Sequence, residues 1–215
     1  MVNEKTLIQE IKELEKTNIK NIVENRLKQF QEFKTKDYQD WFSELCFCIL
    51  TANSKARTAI NIQNQLGFEG FSKYSQKELS TSIRVNKHRF HNNKAKFIIC
   101  ARDNLEIKDK IKNLIENLGE TEAREWLVKN IKGLGYKEAS HFLRNVGYTN
   151  LAILDRHILN LMVENNYLKE KPKSLNKKNY LEIESKFKSL AEDLHMSPAK
   201  LDLYMWYMKA GEVLK

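Results

Sequence analysis

The sequence has few of the residues that interrupt helices and few cysteines. Its 215 residues include two prolines, seven glycines and three cysteines. Three cysteines are too few for a four-cysteine zinc or iron-sulfur site, and they provide no disulfide framework. Cys46 and Cys48 lie in the apolar run LCFCIL, which indicates buried, reduced thiols. Cysteine-ligated clusters of this size and disulfide-stapled folds are therefore excluded.

Long hydrophobic runs are also missing. No stretch approaches the roughly 18 apolar residues of a membrane span. The opening segment MVNEKTLIQEIKELEK is too charged for a signal peptide. No repeat of 20 to 50 residues is present, and no Gly/Ser linker marks a clean boundary. We expect a cytoplasmic protein, folded as one domain or as two small ones.

Basic residues exceed acidic ones. The chain has 37 Lys and Arg against 28 Asp and Glu, a net charge of +9 and a pI near 9.3. This balance favours an anionic partner, and nucleic acid is the leading candidate. The alternative is that a chain rich in Lys, Asn and Ile only reflects biased codon usage.

Apolar residues recur mostly at helical spacing, and nothing alternates with period two for long enough to indicate a strand. The fold class predicted is all-α. Asp40 is a possible cap for a helix that starts at Trp41. Pro172 marks a loop, and Pro198 opens the last helix. The other helices are predicted as two within 7–30, then 55–66, 76–84, two within 92–118, and 120–131, 136–146, 156–168, 178–194 and 198–211.

Glycines concentrate in one stretch, NIKGLGYKEASHFLRNVGYTNLAILDRHIL, which contains three of the seven: Gly133, Gly135 and Gly147. Helical patterns flank KGLG, so the stretch is predicted to form a helix-hairpin-helix. Gly133 and Gly135 would allow positive φ and close approach of a phosphate to the N-terminus of the second helix. An ordinary helical hairpin, with glycines that only cap and turn, is the alternative.

Two residues near this hairpin have the chemistry of a catalytic pair. Lys137 falls in the first turn of the second helix, where the positive end of the macrodipole disfavours a further cation. A neutral amine is a nucleophile that forms Schiff bases with carbon centres. Asp155 precedes another apolar helix, which it can cap, and a carboxylate there could stabilise positive charge on a sugar. An exposed lysine and an aspartate that only caps are the alternatives.

The segment LVKNIKGLGYKEASHFLRNVGYTNLAILDRHIL resembles the signature of the helix-hairpin-helix DNA glycosylases, with matches at Gly133, Gly135, Lys137 and Asp155. WFSELCFCILTANS, HRFHNNKAKFI and LDLYMWYMKAGEVLK extend the resemblance over nearly the whole chain. It is closest to the type-2 8-oxoguanine DNA glycosylases. The cysteine cluster of the endonuclease III-like branch is missing, and the chain is too short for the β-rich N-terminal domain of the eukaryotic-type enzyme.

This resemblance implies two helical subdomains with a DNA-binding cleft between them. We expect residues 40–118 to form one lobe, and residues 1–39 and 119–215 to form the second, which carries the hairpin near 121–145. The implied partner is double-stranded DNA that contains 8-oxoguanine or abasic sites, with no membrane. The protein is expected to be a monomer that associates with the nucleoid while it acts.

The implied activity is that of a bifunctional glycosylase/AP lyase. Lys137 would displace the damaged base at C1′ of an extruded nucleotide, and Asp155 would stabilise the transition state. A Schiff base and β-elimination would then nick the strand. The implied mechanism requires no metal and no organic cofactor. The same chemistry on another oxidised base, or a non-catalytic nucleic-acid-binding module, stays as an alternative.

Base recognition concerns N7, which is a donor in 8-oxoguanine and an acceptor in guanine. A carboxylate opposite N7 would reject guanine, because a buried polar group left unpaired costs about 1 to 3 kcal/mol or more. In the family the C-terminal lysine supplies this distinction, and the sequence ends at Lys215. Trp206 and Phe90 could stack on the base. A frayed terminus and ordinary core packing are the alternatives for these three residues.

Overall fold

The computed structural model describes residues 6–215 and shows a wholly helical protein there. This part of the chain contains a short 3-10 turn at Arg102–Asn104 and no β-strand, so the all-α prediction is confirmed. Within it, no helix combines the length and apolar character needed to cross a membrane. The twelve α-helices are α1 (Leu7–Leu14), α2 (Ile19–Phe33), α3 (Tyr38–Thr51), α4 (Ala56–Lys73), α5 (Gln76–Val85), α6 (His91–Ala101), α7 (Ile107–Leu118), α8 (Glu120–Asn130), α9 (Tyr136–Asn145), α10 (Arg156–Glu164), α11 (Lys177–Asp193) and α12 (Pro198–Ala210).

Reciprocal side-chain caps define the starts of two of these helices. At α5, the Glu78 backbone N–H donates to the Ser75 hydroxyl, and Oε2 of Glu78 accepts from the Ser75 backbone N–H at 2.8 Å. At α1, Thr6 caps in the same way, and Oε1 of Gln9 accepts from the Thr6 N–H at 2.9 Å. Each capping box satisfies two backbone donors that have no partner within the helix.

Helix α3 forms the core of a compact unit that comprises Phe33–Val146. Ten of its fourteen residues are buried, and it packs against α4, α6, α7 and α9. A helix with neighbours on most sides is apolar all round, which explains the run WFSELCFCIL. Burial raises the pKa of the Cys46 thiol well above its ordinary value, although Arg102 opposes this.

The start of α3 differs from the prediction. Asp37, not Asp40, is the N-cap, and its carboxylate accepts from the Asp40 backbone N–H at 2.9 Å. Asp40 lies in the first turn, where a negative charge also suits the helix dipole. Two aspartates three residues apart both fit a cap, so spacing alone did not distinguish them. In α4, the helical pattern predicted to end at Leu66 resumes after a break at Gly67, where φ is 55° and ψ is −169°.

Helix α12 is the centre of the other compact unit, which comprises the described residues up to Glu32 together with Gly147–Lys215. It packs against α1, α10 and α11. Its buried Tyr204 has a pKa raised to about 12 by burial and by the nearby acidic residues Glu15 and Glu24. Two ion pairs join α12 to its neighbours: Lys200 to Glu15 at 3.0 Å and Lys209 to Glu164 at 2.6 Å.

The hairpin helices α8 and α9 belong to the unit Phe33–Val146, where α8 packs on α7 and α9 packs on α3. This unit extends beyond 40–118, the lobe expected from the sequence. The lobe boundaries on DNA stay a prediction.

Candidate active site

The predicted helix-hairpin-helix is present, with α8 ending at Asn130 and α9 beginning at Tyr136. Gly133 has φ of +93°, a left-handed conformation that favours glycine. A Cβ atom at Gly133 would overlap the ring of Phe97, which comes from α6. Glycine is thus required here both by the backbone conformation and by the close approach of an aromatic ring.

Gly135 has a different role from the one expected. Its φ of −96° and ψ of −173° are extended, so the expectation of positive φ there is wrong. Gly135 is the N-cap of α9, and its backbone N–H donates to Oε2 of Glu138 at 3.2 Å. A Cβ atom at Gly135 would lie 3.2 Å from that same oxygen. Glycine therefore leaves room for the Glu138 carboxylate to close the cap.

Lys137 is the second residue of α9 and lies in the first turn, as predicted. Its side chain is 22% exposed, and its Nζ atom lies 3.6 Å from Oε1 of Glu138. The amine therefore sits at the positive end of a helix with one carboxylate oxygen close to it.

A second lysine, Lys94 of α6, is buried in the same unit. Its Nζ donates to the carbonyl oxygen of Ile49 at 2.7 Å, close to the C-terminal end of α3, where a cation is favoured. Burial lowers the pKa of Lys94 to about 8, the Glu138 carboxylate raises it, and the Lys137 charge lowers it. Lys94, Lys137 and Glu138 thus form one cluster of interacting charges.

The residues just before α6 also contact the end of α3. Nε2 of His88 donates to the carbonyl oxygen of Leu50 at 2.9 Å, and burial lowers the pKa of this imidazole. Nδ1 of His88 lies 3.2 Å from the backbone nitrogen of Phe90, which donates to it. The Arg89 guanidinium carbon lies 4.4 Å from the centroid of the Phe90 ring. Phe90 is thus half-buried at the start of α6, in the unit that carries Lys137.

Asp155 is the N-cap of α10, as the sequence predicted. Its Oδ1 atom accepts from the backbone N–H groups of His157 and Ile158, at 2.8 and 2.9 Å. Two backbone donors therefore fix the orientation of this half-buried carboxylate.

Trp206 of α12 lies in the same unit as Asp155 and makes an edge-to-face contact with His157 at 5.1 Å between ring centroids. The indole Nε1 of Trp206 is buried without a hydrogen-bond partner within the described part of the chain. A buried donor without a partner is costly, so a ligand acceptor there would be favourable. Lys215 lies beyond Gly211, where φ of +72° ends α12, and it is half-exposed.

The structure therefore places the sequence-predicted residues in two groups. Asp155, Trp206 and Lys215 belong to the unit that contains Gly147–Lys215. Phe90, Gly133, Gly135 and Lys137 belong to the unit Phe33–Val146.

Sequence reasoning missed three residues near these groups: Lys94, Glu138 and His157. A signal for Lys94 was available, because it shares helical spacing with Ile98 and Ala101 on the buried face of α6. A lysine at such a position needs a polar partner, which here is the Ile49 carbonyl.

A wholly helical fold built around a helix-hairpin-helix, with a lysine in the first turn of its second helix, is the architecture of helix-hairpin-helix DNA glycosylases. Residues 23–196 match the family described as 8-oxoguanine DNA glycosylase. This chain belongs to that family.

Similar proteins cover nearly the full chain. The 8-oxoguanine DNA glycosylase/AP lyase of Methanocaldococcus jannaschii is 48% identical over 209 residues, which are 97% of this chain and 99% of that protein. The protein of the same name from Korarchaeum cryptofilum is 40% identical over 210 residues, covering 97% and 98% of the two chains.

Two solved structures also match over nearly the full chain. The crystal structure of the M. jannaschii 8-oxoguanine glycosylase/lyase in complex with 15mer DNA containing 8-oxoguanine has a TM-score of 0.94 and 47% identity, and covers 97% of this chain and 99% of that one. The 8-oxoguanine DNA glycosylase of Thermotoga maritima has a TM-score of 0.90 at 39% identity, with 97% and 98% covered.

Proposed function

We propose that this protein is a bifunctional DNA repair enzyme that excises 8-oxoguanine from double-stranded DNA and nicks the strand at the resulting abasic site. The observation that carries the proposal is the 48% identity, over 97% of this chain, to a protein named 8-oxoguanine DNA glycosylase/AP lyase. The positions of Lys137 at the start of α9 and of Asp155 at the start of α10 support it.

The proposed reaction starts at C1′ of the damaged nucleotide. Nζ of Lys137 loses a proton to solvent and attacks C1′, the bond from C1′ to the base breaks, and the base leaves with a proton. Positive charge develops on the sugar as the bond breaks, and the Asp155 carboxylate stabilises it. Asp155 suits this role because the backbone N–H groups of His157 and Ile158 hold its carboxylate in one orientation.

The proposed lyase step follows from the covalent adduct. The sugar ring opens, and its C1′ carbon and the Lys137 nitrogen form a Schiff base. Loss of a proton from C2′ then allows the bond between C3′ and its phosphate oxygen to break, which nicks the strand. The steps proposed draw on side chains of the protein and need neither a metal nor an organic cofactor.

The residues proposed to recognise the base are Trp206, Phe90 and Lys215. The two aromatic rings would stack on the extruded base or fill the space it leaves. The indole Nε1 of Trp206, buried without a partner in the described residues, supports a ligand acceptor near this ring. A terminal carboxylate at Lys215 would accept a hydrogen bond from N7–H of 8-oxoguanine and repel the N7 acceptor of guanine. Deletion of Lys215 should then reduce discrimination between the two bases while leaving cleavage of a pre-formed abasic site largely unchanged.

The proposed backbone contacts come from the hairpin. Amide groups at the start of α9, with Gly133 and Gly135 before them, would bind a phosphate of the duplex. The protein would act as a monomer on nucleoid DNA, and the proposed lobes are 40–118 against 1–39 and 119–215.

A panel of duplexes tests the function. The protein is incubated with otherwise identical duplexes that contain 8-oxoguanine, thymine glycol, uracil or guanine, and base release and nicking are measured. We expect both on the 8-oxoguanine duplex, together with a covalent adduct when borohydride reduces the Schiff base. Lys137→Gln should abolish this adduct.

The matched variant Asp155→Asn separates charge from capping. Asparagine caps helices as well as aspartate does, so folding and DNA affinity should be nearly preserved while excision slows strongly. Activity on thymine glycol alone would indicate the same chemistry on another oxidised base. Binding without any release or nicking would indicate a non-catalytic helix-hairpin-helix module.

A further inference from the structure

Glu138, the third residue of α9, has two contacts at the hairpin. Its Oε2 atom accepts from the backbone N–H of Gly135 at 3.2 Å, which closes the cap of the helix. Its Oε1 atom lies 3.6 Å from Nζ of Lys137. The two oxygens of one carboxylate therefore contact the helix start and the proposed nucleophile.

The cap by itself does not require a charged side chain. In the capping box of α1, the corresponding position is Gln9, whose neutral amide oxygen accepts from the Thr6 N–H at 2.9 Å. Glutamine and glutamate serve equally in this motif. Capping therefore does not by itself explain why this position carries a negative charge.

The surroundings of Glu138 show what the charge acts on. Its side chain is 14% exposed and lies beside the partly exposed Lys137, so solvent screens the pair less than it would screen a surface pair. The buried ammonium of Lys94 also interacts with this carboxylate. Glu138 thus offsets the repulsion of two lysines near the positive end of α9.

Lys137 needs such an anchor because its four-carbon stem has many rotamers. An amine must reach its target atom along a narrow range of directions, and a displacement of about 1 Å can cost about a hundredfold in rate. Oε1 of Glu138 restricts where Nζ can lie relative to the first turn of α9.

We propose that Glu138 is a positioning residue for Lys137, whose carboxylate holds the Nζ atom beside the start of α9 in the geometry from which it attacks. The inference rests on the proposed function, in which Lys137 is the nucleophile. In this role Glu138 acts through Lys137 rather than through a contact of its own with the substrate.

Three variants test this role. Glu138→Gln keeps an acceptor for the Gly135 N–H but removes the charge. Glu138→Asp keeps the charge but is one methylene shorter, which weakens the cap. Glu78→Gln makes the same change at the capping box of α5 in the same unit and serves as the matched control.

The measurement is the single-turnover rate of borohydride trapping on a pre-formed abasic duplex, as a function of duplex concentration. We expect Glu138→Gln to lower the maximal rate by about tenfold or more, with the half-saturating duplex concentration within about twofold of wild type. Glu138→Asp should be faster than Glu138→Gln, and Glu78→Gln should match the wild type. The active fraction of each variant is determined from its DNA-binding stoichiometry. Rates are expressed per active molecule, so partial misfolding does not lower them.

A role in capping alone predicts the opposite order, because glutamine closes the box and the shorter aspartate does not. Wild-type rates for Glu138→Gln, or rates for Glu138→Asp at or below those of Glu138→Gln, would overturn the proposal. A wild-type protein that forms no adduct at all would instead refute the proposed function.

Discussion

At the scale of single residues, two lysines of the unit Phe33–Val146 have the same side chain but different surroundings. Lys94 is buried and donates to the Ile49 carbonyl, whereas Lys137 is 22% exposed beside Glu138. Burial penalises the charged form of an amine. The pKa of Lys94, lowered to about 8 by burial, therefore makes the stability of the protein depend on pH.

The sign of this dependence follows from proton binding. Between about pH 8 and 10.5, Lys94 is protonated in the unfolded chain but increasingly neutral in the folded protein. The unfolded state binds more protons, so the contribution of Lys94 to the free energy of unfolding rises with pH over this window. The reference is Lys94→Met, whose side chain at position 94 cannot titrate. Relative to this variant, the free energy of unfolding of the wild type should rise by up to about 3 kcal/mol between pH 7 and pH 10.5.

Urea unfolding of both proteins at several pH values measures this difference. Other titrating groups largely cancel, because they are common to the two proteins. Lys96→Met is the control, since Lys96 is an exposed lysine on the same helix. The difference in free energy of unfolding between this variant and the wild type should hardly change with pH. Parallel curves for wild type and Lys94→Met would show that the ammonium is not penalised by burial.

At the scale of elements, the turn between α8 and α9 depends on its contact with α6. Gly133 has positive φ, and the Phe97 ring occupies the space that a side chain at Gly133 would take. The turn that precedes Lys137 is therefore fixed by a contact between segments distant in sequence.

Gly133→Ala should destabilise the protein by roughly 2 kcal/mol or more, because it combines left-handed backbone strain with overlap on the Phe97 ring. The two contributions separate in a double-mutant cycle with Phe97→Ala, measured by urea unfolding. The glycine substitution should cost about 1 kcal/mol less when the ring is absent. An equal cost in both backgrounds would attribute the whole effect to backbone strain.

At the scale of the whole molecule, the net charge of +9 bears on DNA binding. Lysine and arginine contacts with phosphates release counterions, so the logarithm of the dissociation constant should rise steeply and linearly with the logarithm of salt concentration. Fluorescence anisotropy on 8-oxoguanine and undamaged duplexes measures both slopes, which should be similar because phosphate contacts are not sequence-specific. A dissociation constant that does not change with salt would contradict this electrostatic contribution.

Much of the fold and part of the candidate site could be predicted from local patterns. The helix from Tyr136 to Asn145, the hairpin before it and the Asp155 cap of α10 all follow from residues within a few positions of one another. Such features depend on backbone hydrogen bonds and nearby side chains, which sequence spacing reports directly. The error at Asp40 shows the limit, because both Asp37 and Asp40 satisfied the same local rule.

The sequence by itself determined the helical class, the hairpin and the positions of Lys137 and Asp155 at the starts of two helices. Three contacts were decided by the tertiary structure alone: Lys94 is buried against the Ile49 carbonyl, the Phe97 ring packs against Gly133, and the His157 ring contacts that of Trp206. Each of these contacts joins residues that are distant along the chain. Packing of whole helices sets such contacts, and no periodicity within one segment contains that information.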